Sequence, residues 1–273
     1  MSLSIAIAGK GGTGKTTFAA LAIRALKELA IRPILAVDAD PNSNLAEALG
    51  IEPGTPLAEI REQLSSPEGS PASGLGRARA IDDEIQRALA EADGFDLVTM
   101  GRPEGPRCYC YVNNLLRRSL DALAGNYAAV VIDNEAGMEH LSRRTTNEVN
   151  FLVVVTDCTK PAWRAARRIL DLSGRLPIRI GRRAVLINRV GPSHSPDQIH
   201  RELGGLDVLR LPEVPQDEQV EQAGATGRDV FSLPDQNPAL EAVRSVVRAM
   251  RLELSCVPAA FPLDRQPISG EPQ

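Results

Sequence analysis

The chain has 273 residues, of which 43% are hydrophobic and 24% charged, with a formal net charge of −4. That is an ordinary composition for a globular domain large enough to enclose a substantial core. An acidic balance gives no electrostatic reason to expect nucleic acid as a partner, and no apolar run is long enough for a signal segment or a bilayer span. The expected location is therefore cytoplasmic, with no membrane partner.

Taken in chain order, SIAIAG (4–9) reads as a buried strand and TTFAALAIRALKELA (16–30) as a helix. PILAVDAD (33–40) is the second strand, and a Pro/Ser/Gly-rich stretch centred on SSPEGSPASGLG makes 52–80 a flexible surface insertion or lid. FDLVTMG (95–101), AAVVIDN (128–134), FLVVVTD (151–157), AVLINRV (184–190) and DVLRLPEV (207–214) read as further strands. Helices are expected at 113–125, 161–174 and 238–254, and the proline-rich end, 256–273, as a loosely ordered tail. The alternation predicts an α/β fold over 1–255, a single domain with a mostly parallel central sheet flanked by helices. Arginine clusters at 143–144, 164–168 and 179–183 are expected on solvated helix faces and loops.

The first strand runs straight into Gly9-Lys10-Gly11-Gly12-Thr13-Gly14-Lys15-Thr16-Thr17 and then into a helix. This is the G-x-x-x-x-G-K-[ST] loop in the strand–loop–helix context that makes it a phosphate cradle and the fold a P-loop NTPase. Glycines let successive N–H groups turn toward phosphate oxygens, and the helix N-terminus adds partial positive charge. Lys15 is placed to reach the terminal phosphates and the Thr16 hydroxyl to ligate Mg²⁺. The chain has four lysines among its 31 basic residues, at 10, 15, 27 and 160, and two of them sit in this loop. A compact ammonium fits against phosphate where a planar guanidinium would not.

Asp38 and Asp40 close the second strand and Asp133 closes VVID. Each alone could be a helix cap; three on successive strand ends behind a phosphate loop suggest a Mg²⁺ and water-positioning set. The loop's extra lysine, Lys10, resembles the deviant Walker A motif of the ATPase family that includes MinD, the arsenite-pump ATPase, the nitrogenase iron protein and the carbon monoxide dehydrogenase accessory protein CooC. That resemblance implies ATP and Mg²⁺, with Lys10 acting on the other subunit's nucleotide in a homodimer that ATP draws together. It assigns Asp40 to the attacking water, 40–45 to switch I, Asp133 to the outer Mg²⁺ shell, and 134–137 to a switch II in which Gly137 senses the γ-phosphate. It places Asn188 on adenine, with the loop 211–223, including Pro212, Glu213 and Val214, closing over the ring.

Cys108 and Cys110, in GPRCYCYVNNLLRR, follow the third strand and stand at or before a helix N-terminus, where thiolates are stabilised. By itself a Cys-x-Cys is compatible with small buried hydrophobes or a redox pair as well as with half a tetrahedral site. A two-fold dimer would complete Cys₄ coordination for Zn²⁺, Ni²⁺ or an iron–sulfur cluster. The C-x-C in this place, with Glu139-His140 after switch II, resembles the CooC type. This implies a nickel or zinc site shared by two subunits and delivery to carbon monoxide dehydrogenase or a related client. The alternative is an ATP-gated electron donor like the nitrogenase iron protein, with [4Fe–4S] on the same cysteines, although no second cysteine follows switch II here. A third reading, a MinD-like positioning ATPase, lacks a basic amphipathic helix at the chain's end. Cys158 and Cys256 are read as incidental, Trp163 as a packing residue, His140 as a switch-loop hydrogen bonder, and His194 and His200 are assigned nothing.

Overall fold

The apolar runs pair into one sheet whose order explains why the chemistry collects at one edge. The computed structural model describes residues 2–40, 42, 44–65, 75–101, 121–134, 148–175, 178–193 and 196–256. Among them the strands are β1 (Leu3–Gly9), β2 (Ile34–Ala39), β3 (Ala90–Ala92), β4 (Phe95–Thr99), β5 (Ala129–Asn134), β6 (Glu148–Thr156), β7 (Arg179–Ile187) and β8 (Leu209–Arg210). The helices are α1 (Lys15–Glu28), α2 (Asn44–Leu49), α3 (Leu57–Ser65), α4 (Leu75–Ala88), α5 (Lys160–Ser173), α6 (Pro196–Glu202), α7 (Glu218–Ala225) and α8 (Pro238–Cys256). The sheet order is β3-β4-β2-β5-β1-β6-β7-β8, parallel throughout except for the β3–β4 hairpin. From β1 the chain moves outward to β2 and β4, returns through β5, and crosses β1 to reach β6 and β7. Such a reversal opens a crevice at the carboxyl ends of the strands, where ligands of open α/β sheets bind.

Both faces of the sheet are covered, so the strands are apolar on both sides rather than alternating. On one face Ile5, Ile7 and Val153 pack with Phe18 and Leu21 of α1 and with Val243 and Val247 of α8. On the other, Leu35, Val98 and Val154 pack with Leu57 and Ile60 of α3, Ile85 of α4 and Trp163 of α5. Trp163 is thus the packing residue expected. Within the first layer lies Arg24, only 4% exposed. Its guanidinium donates to the carbonyls of Val230 and Leu233 and pairs with Glu28 and Asp235. Truncation strands those partners, so Arg24→Ala is expected to lower stability by roughly 3 kcal/mol, read by urea denaturation.

Five sequence expectations are corrected. The insertion at 52–80 is helical over Leu57–Ser65 and again from Leu75, because Leu57 and Ile60 bury into the second core; 66–74 lie outside the described residues. The 179–183 arginine cluster is the start of β7, matched to an early start of β6 by the cross-strand pair Arg179–Glu148 at 3.2 Å. The strand expected at 184–190 ends at Ile187, since Arg189 takes a left-handed backbone with φ 55°. The strand expected at 207–214 forms ladder pairs only at Leu209 and Arg210; past Leu211, whose N–H bonds Val185 O at 3.1 Å, one extra residue shifts the register, so that Val214 N–H is the next to bond β7, at Ile187 O. The final helix runs two residues past 254, to Cys256. The helix expected at 113–125, apart from its last turn, and the tail from 257 lie outside the described residues.

Candidate active site

Gly9 ends β1 at a place where a side chain would run into the Val155 carbonyl of β6. The loop that follows closes on itself, Thr13 bonding the Lys10 carbonyl through N–H at 3.3 Å and through its hydroxyl at 2.9 Å. Gly14 caps α1 with φ 87°, a conformation that favours glycine, and a side chain there would strike the Asn188 amide. No side chain caps α1 and no acidic residue lies in its first turn, so its N–H groups and partial positive charge face an incoming anion without competition. Lys15 is 7% exposed, with no hydrogen bond or ion pair among the described residues, whereas Lys10 is exposed. Thr17 faces the neighbouring cavity.

Beside this loop the register sets Asp38 of β2 level with Thr99 of β4 on one side and Asp133 of β5 on the other. Side chains at matched positions of parallel strands point to the same face, so the three form a row under the start of α1. Thr16 donates its hydroxyl to Asp133 Oδ2 at 2.5 Å, and Asp133 Oδ1 is buried with no partner among the described residues. Asp38 accepts from the backbone N–H of Asp40 at 3.1 Å and of Leu45 at 3.0 Å, which ties it to the start of α2. Asp40, half-buried, accepts from the N–H and amide of Asn42.

Burial pushes the Asp133 carboxyl up to about 7, against the lowering effect of the Thr16 hydroxyl, with Asp38 raising it further and Lys15 opposing. Burial likewise raises Asp38 to about 6, partly offset by its two backbone donors. Two desolvated carboxylates side by side, one with an orphaned oxygen, plus a threonine hydroxyl form a hard-oxygen set that a divalent cation such as Mg²⁺ fits.

A cavity of about 350 Å³ adjoins the phosphate loop, lined by Phe18 and Leu21 of α1, Asn188, Val214, Pro215 and Val243. Apolar walls with a few amide and carboxylate edges suit a flat heterocycle. Asn188, 7% exposed, donates its amide to the Thr13 carbonyl at 2.9 Å, which leaves its oxygen for a ligand. Of Pro212, Glu213 and Val214, the last reaches the cavity wall. The segment expected as one loop over 211–223 becomes helix at Glu218. Asp217 caps it by accepting from Gln219 and Val220 and is itself held by Asn237 at 2.9 Å. The Asp-Glu-Gln-Val order was a readable capping signal. Arg189, which sequence reasoning passed over, also lines the cavity.

Cys108, Cys110, Glu135, Gly137 and His140 lie outside the described residues, and so does His194; Asn134, expected to open switch II, is buried and donates to the Ile7 carbonyl at 2.9 Å. Cys158 is half-buried, its thiol pushed up by burial, and Cys256 is exposed at the end of α8. Among the described residues no cluster of three or more His, Cys, Asp or Glu could hold a metal, and no helix is long and apolar enough to cross a membrane.

Residues 4–230 match the CobQ/CobB/MinD/ParA nucleotide binding domain. An uncharacterised ATP-binding protein of Methanocaldococcus jannaschii is 39% identical over 246 residues, covering 89% of this chain and 96% of that one. The carbon monoxide dehydrogenase accessory protein CooC of Rhodospirillum rubrum is 32% identical over 65% of this chain and 71% of its own. Among solved structures the cell division ATPase MinD of Pyrococcus furiosus superposes with a TM-score of 0.69 at 19% identity, over 93% of this chain and 100% of that one, a likeness of fold.

Proposed function

The chain belongs to the CobQ/CobB/MinD/ParA family of nucleotide-binding ATPases, and from that premise we propose that it is a metal-trafficking factor of the CooC type, acting in the cytoplasm as a homodimer. ATP binding closes the dimer, Cys108 and Cys110 of each subunit together hold nickel or zinc as cargo, and hydrolysis releases it to carbon monoxide dehydrogenase or a related metalloenzyme. The observation that carries this reading is a C-x-C pair in a chain 32% identical to a carbon monoxide dehydrogenase accessory protein.

The roles follow from chemistry and position. The N–H groups of Gly11, Gly12 and Gly14 to Thr17 and the Lys15 ammonium receive the phosphates, and Lys10 reaches the partner's nucleotide. Thr16, with Asp133 and Asp38 around it, would hold Mg²⁺, which supplies charge neutralisation for the leaving phosphate. Asp40 orients the water whose oxygen bonds the γ-phosphorus as the bridge to ADP breaks. Gly137 reads the γ-phosphate, while Asn188 and Val214 receive adenine, with Pro212 and Glu213 shaping the loop beside it.

Cargo binding at one interface that nucleotide also alters makes the two affinities reciprocal. Cys108→Ser is expected to abolish nickel and zinc binding in calorimetric titration while leaving ATP turnover and melting temperature near those of the parent. Undiminished metal binding by that variant would overturn the shared-cysteine site. Four irons and four sulfides per dimer, with a reducible visible band, would turn the reading to the electron donor.

A further inference from the structure

We propose that Arg189 is a positioning residue of the nucleotide site, gripping the phosphate loop from the side of the base cavity; the proposal rests on the nucleotide reading above. Asn188 and Arg189 follow β7 and hold adjacent carbonyls of the loop. The Asn188 amide donates to Thr13 O, and Arg189 Nη1 donates to Gly12 O, both at 2.9 Å. The peptide that carries Gly12 O also carries the Thr13 N–H, and the one that carries Thr13 O carries the Gly14 N–H. A planar trans peptide sets the two groups in opposite directions. Pulling both carbonyls toward 188–189 therefore turns the two N–H groups away from that side, Thr13's onto the Lys10 carbonyl that closes the loop and Gly14's toward the interior, where phosphate oxygens bind.

The grip is held at a cost in backbone conformation. Arg189 is one of only two non-glycine residues with positive φ among the described residues, at 55°, a region that disfavours a side chain of this size. Its neighbours fix it there: Asn188 N–H bonds the Thr156 carbonyl at 2.7 Å, and Val190 N–H bonds Val214 O at 3.0 Å, beside the Val190–Pro215 bridge. A glycine or asparagine would satisfy that backbone without strain. An arginine there is explained by what its guanidinium does, since it lines the cavity, holds the Gly12 carbonyl and approaches Gly14. Its remaining N–H groups have no partner among the described residues. The arrangement ties the wall of the base cavity to the shape of the phosphate cradle.

The test separates backbone from guanidinium in the full-length chain, with a non-hydrolysable ATP analogue and Mg²⁺ as the probe. Arg189→Gly removes the left-handed strain together with the grip. It is expected to melt no lower than the parent, to bind the analogue about tenfold more weakly, and to raise KM by a similar factor while kcat at saturation stays within about twofold. Arg189→Lys, which keeps one charged donor, should fall between the two. A glycine variant that binds within about twofold of the parent, or whose lost affinity tracks a lowered melting temperature, overturns the proposal. A parent chain that fails to bind the analogue would remove the nucleotide reading itself, an outcome distinct from any variant's behaviour.

Discussion

Lys15→Ala is expected to lower ATP turnover by about three orders of magnitude while leaving the folded chain intact. The magnitude follows from what the ammonium faces. It is buried to 7% exposure at a helix start with no acidic residue in the first turn and no side-chain cap, and it has no ionic partner among the described residues. A desolvated cation in that setting is costly for the empty protein, is offset only in part by the neighbouring Asp133 carboxyl, and is compensated fully when an anion arrives. Its removal therefore costs the empty fold little and the developing charge of the transferred phosphoryl group a great deal. Urea denaturation without nucleotide should place the variant within about 1 kcal/mol of the parent or above it. Steady-state phosphate release measures the loss, and turnover within tenfold of the parent would remove Lys15 from the reaction.

Asp133→Asn should have the second largest effect and a sign that surprises. Turnover is expected to fall by about two to three orders of magnitude, because the carboxylate that accepts the Thr16 hydroxyl no longer offers charge to a divalent ion. The nucleotide-free chain should nevertheless gain roughly 2 kcal/mol at pH 8. With Asp133 raised to about 7 and Asp38 to about 6 from the ordinary aspartate value of about 4, the folded state holds more protons than the unfolded one between pH 4 and 7. Their contribution is therefore most favourable below pH 4 and is lost as pH rises through the folded values. In EDTA, the parent's melting temperature should fall between pH 5 and pH 8 more steeply than the variant's, and Mg²⁺ at pH 8 should recover part of the difference for the parent alone. Parallel slopes for the two proteins would contradict the desolvated carboxylate pair.

The parts of this site legible in the sequence are those whose spacing is local. The phosphate loop is nine consecutive residues from Gly9 to Thr17, and its flanking strand and helix read directly from apolar period. Asp38 and Asp133 could be named as strand ends, but that they stand level on adjacent strands depends on β5 returning between β2 and β1, which no local pattern encodes. Arg189 was hidden by its own surroundings: apolar AVLIN suggests a strand running on, and only the fold reveals a left-handed turn there. The helices in 52–80 were masked by a proline- and serine-rich composition, though Leu57 and Ile60 carry the burial that orders the first of them. The short β8 shows the reverse error, an apolar run whose register to β7 slips by one residue between Leu211 and Val214.

The most direct test of metal trafficking is native mass spectrometry with metal analysis on anaerobically purified protein, with and without a non-hydrolysable ATP analogue. The account predicts one nickel or zinc ion per two chains, held more tightly or exchanged more slowly when the analogue is bound, and absent from Cys108→Ser. Metal-free chains with intact cysteines, or four irons and four sulfides per dimer, would contradict it.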